Sequence, residues 1–375
     1  MDLSEHYFNE IIQSAGAFYW IICLFLVFFK VPQAKEYLPY RKAKYCLAAS
    51  FFVMGSNLFA WLWIFTDDWS TLSPYVLSLD VILFYLAIIF FGYSFTHLLD
   101  PHYLNKTRVT RDFTTWGITT LLMLLSLDDS LEAFRPWMIG FAFFFLTGIF
   151  VCFLRRFYLS YEKRQKRQEE YFSEDIKDFM FWMKKSLFFL SMSWILAVLT
   201  LFFGICFNYF YQFYMVTLNL YIAISFVNYG YLYGKLNMAE VSPKEEKDME
   251  ETQRKGKLEN LERLFDELMP KWLAEKRYLT TQLTIDDLAA EMGTNKLYMS
   301  RYINNKYGVN FSTWITNLRI SEAKEYMQEH PELKQEEVAF HSGFSSSSYF
   351  SKVFSRMEGV TPAAWRKEML KMQGE

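Results

Sequence analysis

Two rhythms of hydrophobic and polar positions divide this chain. Through the first 234 residues the apolar positions come as long runs: Ile11–Phe29, Tyr45–Phe65, Tyr75–Phe95, Phe113–Leu127, Trp137–Leu154, Leu187–Phe207 and Phe213–Gly234. Most reach the ~20 residues a helix needs to cross a bilayer core, and the fourth is the shortest. From Leu258 the apolar positions recur at helical spacing among charges, first at Leu258, Leu261, Leu264, Phe265 and Leu268. That stripe predicts an amphipathic helix ending near Met269-Pro270, packed on the helices that follow or offered as a dimer seam. Residues 235–257, dense in Lys, Glu and Asp around Ser242-Pro243, read as a solvated linker between the two halves. The expected fold is all-α: a polytopic bundle of about seven membrane spans over residues 1–234, the linker, and a cytoplasmic helical domain over residues 258–372.

Within the last third one helix-turn-helix phrase occurs twice. The first copy runs Ala289-x3-Gly293, Tyr298-x-Ser300-Arg301-x-Ile303, Gly308-Val309, Trp314; the second runs Ala339-x3-Gly343, Tyr349-x-Ser351-Lys352-x-Phe354, Gly359-Val360, Trp365. Both Ala-to-Gly spacings are equal, both Tyr-to-Trp spacings are equal, and the second copy carries one extra residue in its turn. A small Ala lets two helices cross closely, Gly permits a left-handed turn between them, and the next helix is the one shaped to enter a DNA major groove. Thr284 with Asp287 predicts a capping box at the start of the first copy, and Thr361-Pro362 a cap with Pro at the first helical position. The scaffold positions are therefore Ala289, Gly293, Ala339, Gly343, Gly359 and Pro362.

These residues carry a resemblance. Val338-Ala339-Phe340-His341-Ser342-Gly343-Phe344, Tyr349-Phe350-Ser351-Lys352-Val353-Phe354 and Gly359-Val360-Thr361-Pro362-x-x-Trp365-Arg366 make residues 258–368 similar to the DNA-binding domain of the arabinose-operon-regulator (AraC) family. The resemblance implies two helix-turn-helix units joined by one long helix, double-stranded promoter DNA as partner, and a homodimer as a candidate assembly. It covers under a third of the chain. The N-terminal part does not resemble the family's sugar-binding cupin; it fits a subset of such regulators that is membrane-embedded.

Composition and charge sharpen both halves. At 52% hydrophobic and 20% aromatic the chain is far more apolar than a soluble protein, and its 375 residues fit roughly two or three domains. With the N-terminus outside, the outer loops hold one basic residue, Arg135, whereas the inner loops hold seventeen, from Lys30 to Lys185. The positive-inside rule then places the C-terminal domain in the cytoplasm, and the resemblance implies a bacterial cell with the bundle in its inner membrane. The flank Asp2-Leu3-Ser4-Glu5 is acidic where a signal peptide is basic, so the first run is expected to remain a membrane helix. Cys23, Cys46, Cys152 and Cys206 all fall inside spans without paired spacing and read as buried apolar side chains. The basic stretch Arg155–Arg167 reads as a loop held to anionic lipid.

The helix-turn-helix part is slightly acidic, with fifteen Lys and Arg against seventeen Asp and Glu from Leu258 onward, which excludes a simple basic patch. Acids are nevertheless missing between Glu291 and Glu322, where Lys296, Arg301, Lys306 and Arg319 fall, and between Glu337 and Glu358, where Lys352 and Arg356 fall. The candidate DNA-contacting side chains are Lys296, Leu297, Ser300 and Arg301 in the first copy and Ser347, Ser348, Ser351 and Lys352 in the second; they match the family's contact positions. Met299, Ile303, Phe350 and Phe354 lie opposite and are expected in the core. Arg301 is the candidate guanine reader, with a phosphate contact as its other role.

In the membrane half, Asp80 falls well inside the third span and is a candidate sensing residue, with Asn57, Asn219 and Asn228 as candidate partners; a helix-packing role and a side chain snorkelling to the outer face are the alternatives. His97, Asp100 and His102 match no established zinc spacing, and no metal or cofactor is expected. No phosphate-cradling Gly loop, zincin helix or nucleophile elbow occurs, so no enzyme is expected. The expected function is a one-component regulator that senses a small molecule, lipid or peptide in or across the bilayer and binds promoter DNA. The alternative is a transporter or channel with a regulatory or partner-binding tail, disfavoured by sparse intramembrane charge.

Overall fold

The computed structural model describes residues 3–64, 74–173, 177–237 and 258–373, and most of the expected linker and the outer loop at Thr66–Ser73 lie outside them. The chain is all-α and separates into two compact units, one of residues 1–164 with 179–238, the other of residues 165–178 with 239–375.

The first unit is built of α1 (Leu3–Phe28), α2 (Leu38–Ile64), α3 (Pro74–Leu99), α4 (Lys106–Leu125), α5 (Arg135–Tyr171) and α6 (Lys177–Asn237). By length and composition, four described helical stretches are able to cross a bilayer: Glu10–Phe28, Pro74–Leu99, Asp129–Tyr171 and Phe207–Gly234. Large apolar side chains lie inside and outside alike. Tyr19, Leu26 and Phe51 are buried while Ile21, Phe25, Phe28 and Phe144 are exposed. Cys23 is buried as expected, but Cys46 is only half-buried and Cys152, on α5, is exposed, so the expectation of burial fails there because lying within an apolar run does not decide which face of the helix a residue occupies.

Several polar side chains of this unit are hydrogen-bonded between helices. Ser50 donates to the carbonyl of Ala87 at 3.0 Å, Trp116 to that of Ile82 at 3.0 Å, and Tyr85 to Thr115 at 3.0 Å. Lys44 caps the end of α1, donating to the carbonyls of Val27 and Phe29.

Two expectations change. The stretch Arg155–Arg167 is no loop: it continues α5 as helix, Arg164 is buried, and the guanidinium of Arg156 stands 3.9 Å from Asp112. Hydropathy ended the element at Leu154 because the span's apolar run stops there, yet a charged helix needs no apolar run to continue. The last two apolar runs both lie in the helical stretch Lys177–Asn237, which doubles back on itself. Tyr214 donates to the carbonyl of Phe189 at 2.7 Å, and the rings of Trp182 and Tyr229 are 5.9 Å apart. On a straight helix those two rings would be separated by about 70 Å. Two antiparallel arms therefore pack side by side.

The second unit contains α7 (Leu258–Ala274), α8 (Ile285–Glu291), α9 (Lys296–Tyr307), α10 (Phe311–Glu329), α11 (Gln335–His341), α12 (Ser347–Glu358) and α13 (Pro362–Gln373). Helix α7 runs through Pro270 to Ala274, past the expected end. Its buried face is Phe265, Met269 and Trp272, while Leu264 and Leu268 are exposed. Trp272 stacks on Trp314 with centroids 5.7 Å apart, and Tyr307 stacks on the other side of Trp314 at 5.0 Å. The aromatic pull of Trp272 carries the helix one turn beyond its leucines.

Candidate nucleic-acid interface

Each copy of the duplicated phrase folds as two helices around a glycine turn. In the first, Thr284 and Asp287 form the reciprocal capping box that starts α8, with Asp287 accepting from the Thr284 backbone at 2.8 Å. Gly293 makes the turn at φ +66°, and the Asn295 side chain accepts from the backbones of Leu297 and Tyr298 to start α9. In the second, Gly343 turns at φ +80° and Ser346 caps α12 by accepting from Tyr349. Thr361 caps α13 ahead of Pro362, accepting from Ala364 at 3.2 Å. Both second helices end on left-handed glycines, Gly308 and Gly359.

The inner faces are packed as expected. Ala289, Met299 and Ile303 are buried in the first copy; Val338, Ala339, Phe350, Val353 and Phe354 form the core of the second. Fixing these residues inward leaves the other face of α9 and α12 to present the candidate contact side chains. Ser348 and Lys352 of α12 are exposed, with Ser347 and Ser351 half-buried beside them. On α9 all four, Lys296, Leu297, Ser300 and Arg301, are half-buried. They border a cavity of about 390 Å³ shared with Asn304 and Asn305 of the same helix and with Arg167 and Glu170 from the segment that precedes residue 174. The asparagines were not singled out from sequence, although their spacing from Arg301 places them on its face.

Long helix α10 joins the copies, and its two buried charges hold it in place. Arg319 is buried and donates to the carbonyls of Tyr278 at 2.8 Å and Thr280 at 2.6 Å. It therefore leaves the set of cations that the acid-free stretch offered to DNA. Lys306 is likewise engaged, with Asp266 and the Tyr302 hydroxyl. Glu322 accepts from Lys276 at 2.7 Å and from Tyr278 at 3.2 Å, and the imidazole of His341 lies 3.5 Å away. Burial pushes the Glu322 carboxyl up, but these donors outweigh it and hold the group below the usual carboxylate range. Burial together with Glu322 raises the Tyr278 hydroxyl to about 12.

In the first unit, the structure brings Asn57 and Asp80 together: the Asn57 amide donates to Asp80 Oδ1 at 2.8 Å. Asn219 donates elsewhere, to Tyr19 and the carbonyl of Met215, and Asn228 is exposed. Asp112, buried on α4, receives Arg111 at 2.7 Å and the Tyr93 hydroxyl at 3.2 Å; it went unnoticed in sequence because it sits among cations at the edge of a short apolar run. Among the described residues no three His, Cys, Asp or Glu side chains are grouped to hold a metal ion, so His97, Asp100 and His102 do not converge.

In the second unit two helix pairs, each turning on a left-handed glycine, flank the long helix α10. Residues 288–368 match the family described as "Helix-turn-helix domain". Over 92 residues the chain is 30% identical to the regulatory protein PocR of Salmonella typhimurium, covering 24% of this chain and 30% of that protein. Over 61 residues it is 43% identical to the HTH-type transcriptional activator RhaR of Cronobacter sakazakii, covering 16% of this chain and 21% of that protein. RhaR of Escherichia coli K12 is 27% identical over 105 residues, 28% of this chain and 36% of its own. The chain thus spans about a fifth to a third of the length of the curated relatives it matches, which are a regulatory protein and transcriptional activators by name. No solved structure matches the chain.

Proposed function

We propose that this protein is a membrane-embedded one-component transcription regulator of the AraC type. Residues 1–234 form a seven-span bundle of the bacterial cytoplasmic membrane with its N-terminus outside, residues 235–257 a linker, and residues 258–372 the cytoplasmic DNA-binding domain. The observation that carries the reading is the repeated geometry of α8–α9 and α11–α12, each with its inner face locked in a core, its turn on a left-handed glycine and its outer face free of acids. Long apolar helices and the basic excess of the inner loops support the membrane half. A ligand in the bundle changes DNA binding only by its differential affinity for two states of that bundle. The Asn57–Asp80 pair is the candidate sensing element, since an acid at that depth carries a cost that function commonly explains.

The test compares two charge removals on α9 and α12. Arg301→Ala is expected to relax base discrimination by ~1–3 kcal/mol at one position, as loss of a bidentate guanine contact does. Lys352→Ala is expected to weaken binding on all sequences alike and to reduce the salt slope by about 1. Intact discrimination in Arg301→Ala, together with its loss in Lys352→Ala, would reverse the assignment of reader and positioner.

A further inference from the structure

The two outer faces of the duplicated phrase are not equally open, and the segment that closes the first is part of the chain itself. Leu297 and Arg301 of α9 are half-buried, whereas their counterparts Ser348 and Lys352 of α12 are exposed. What α9 has and α12 lacks is the end of α5, residues 165–171, with the two residues that follow. The Lys296 ammonium lies over the Tyr171 ring, 5.4 Å from its centroid. Arg167, Glu170 and Tyr171 form the opposite wall of the cavity that Lys296, Ser300 and Arg301 line. Glu170 thereby brings a carboxylate to the side of α9 on which a DNA phosphate would lie.

The segment is anchored outside that face. Its Tyr171 hydroxyl donates to Asp286 at 2.7 Å, the Ser173 backbone donates to the carbonyl of Leu283 at 3.1 Å, and Phe172 makes a single antiparallel bridge with Thr284. Glu169 accepts from the Asn310 side chain at 3.3 Å. Tyr171 and Phe172 are both buried. These attachments use the cap of α8 and the start of α10, while on α9 the Tyr171 ring meets Lys296, a candidate DNA-contacting side chain. A major groove about 12 Å wide admits one helix of about that diameter, so α9 cannot enter it with a second helix laid on its outer face.

We propose that residues 165–173 are an autoinhibitory strap that competes with DNA for the first helix-turn-helix. The inference rests on the reading of α9 as a DNA-contacting helix. Strapped, the domain binds DNA through α12 alone; released, it presents both readers. Because residues 165–171 end α5, whose apolar part Trp137–Leu154 is one of the long hydrophobic runs, any axial shift or rotation of that helix moves the strap with it. The occupied state lowers apparent DNA affinity by the fraction of molecules that are open, so a tenfold preference for the strapped state lowers it about tenfold.

The test uses the full-length protein in lipid nanodiscs, with two readouts. Brief acetylation followed by mass spectrometry compares Lys296 with Lys352 without any DNA. In the wild type Lys296 is expected to react several-fold more slowly, in Tyr171→Ala the two rates should converge, and Tyr171→Phe, which keeps the ring, should stay protected. Binding of a random-sequence duplex pool at fixed salt is expected to tighten about tenfold in Tyr171→Ala. Equal lysine reactivity in the wild type overturns the strap, whether or not the variant folds. Protection of Lys296 with unchanged DNA affinity in Tyr171→Ala overturns the competition and leaves the DNA-binding function standing. Failure of every form to retain DNA, with the lysine difference intact, removes the proposed function and the competition with it.

Discussion

Gly293 and Gly343 occupy the same place in the two copies, yet the structure makes very different demands on them, and replacing each by alanine measures the difference. Both have positive φ, +66° and +80°. A Cβ at Gly293 would meet nothing within 4 Å, whereas at Gly343 it would stand 2.5 Å from the carbonyl oxygen of Leu279 and 2.8 Å from its Cα. Left-handed backbone costs an L-residue roughly 1–2 kcal/mol at either site, partly offset by ~0.4–1 kcal/mol from the stiffer unfolded chain. Gly293→Ala is thus expected to cost ~1 kcal/mol. At Gly343 the neighbour is backbone, which must retreat by about 1 Å to restore an ordinary contact, and overpacking of this kind adds ~1–3 kcal/mol. Thermal and urea unfolding of the fragment 256–375, followed by circular dichroism, should therefore place Gly343→Ala roughly 10 °C below Gly293→Ala, at about 4–8 °C per kcal/mol for a domain near this size. Equal losses in the two variants would refute the close approach of Leu279 to the second turn.

Two further outcomes follow from buried polar groups. Glu322 has a depressed folded carboxyl, so its contribution to stability is present above the ordinary carboxylate value and is lost as pH falls through the folded one. Glu322→Gln should cost about 1 kcal/mol at neutral pH, because Lys276 is half exposed and solvent screens the pair. The variant should also show a flatter acid limb in a pH series of urea melts, and an unchanged limb would remove Glu322 from the account. For Asn57 and Asp80, a double-mutant cycle of Asn57→Ala and Asp80→Ala in detergent should give a coupling of ~0.5–2 kcal/mol. Additive effects would mean that the hydrogen bond contributes nothing to the bundle.

The second unit was legible from local signals because each of its boundaries is a local event. Thr284–Asp287, the glycine turns and Thr361-Pro362 act within four residues, and the inward placement of Met299, Ile303, Phe350 and Phe354 follows from helical periodicity alone. Features that depend on distant partners were not legible. Arg319 has the same chemistry as Arg301, and only the carbonyls of Tyr278 and Thr280, some forty positions away, take it out of the DNA face. The end of α7 is set by Trp272 stacking on Trp314, not by the leucine stripe that signals its start. Of residues 165–173 only the basic start, up to Arg167, stood out, and as a lipid-held loop, because a charged helix end reads the same whether it lies in solvent, on lipid or against a recognition helix. Pairing of Asn57 with Asp80 was half legible: depth in an apolar run singled out the acid, and the choice among three asparagines needed the fold.

The central claim is that two helix-turn-helix units read promoter DNA in tandem, and selection of bound sequences tests it most directly. The fragment 256–375, which lacks residues 165–173, would be challenged with random genomic DNA at two salt concentrations. The account predicts one shared motif with two half-sites about one helical turn, roughly 10 bp, apart, retained at the higher salt. Recovery of no sequence that survives the higher salt would contradict it.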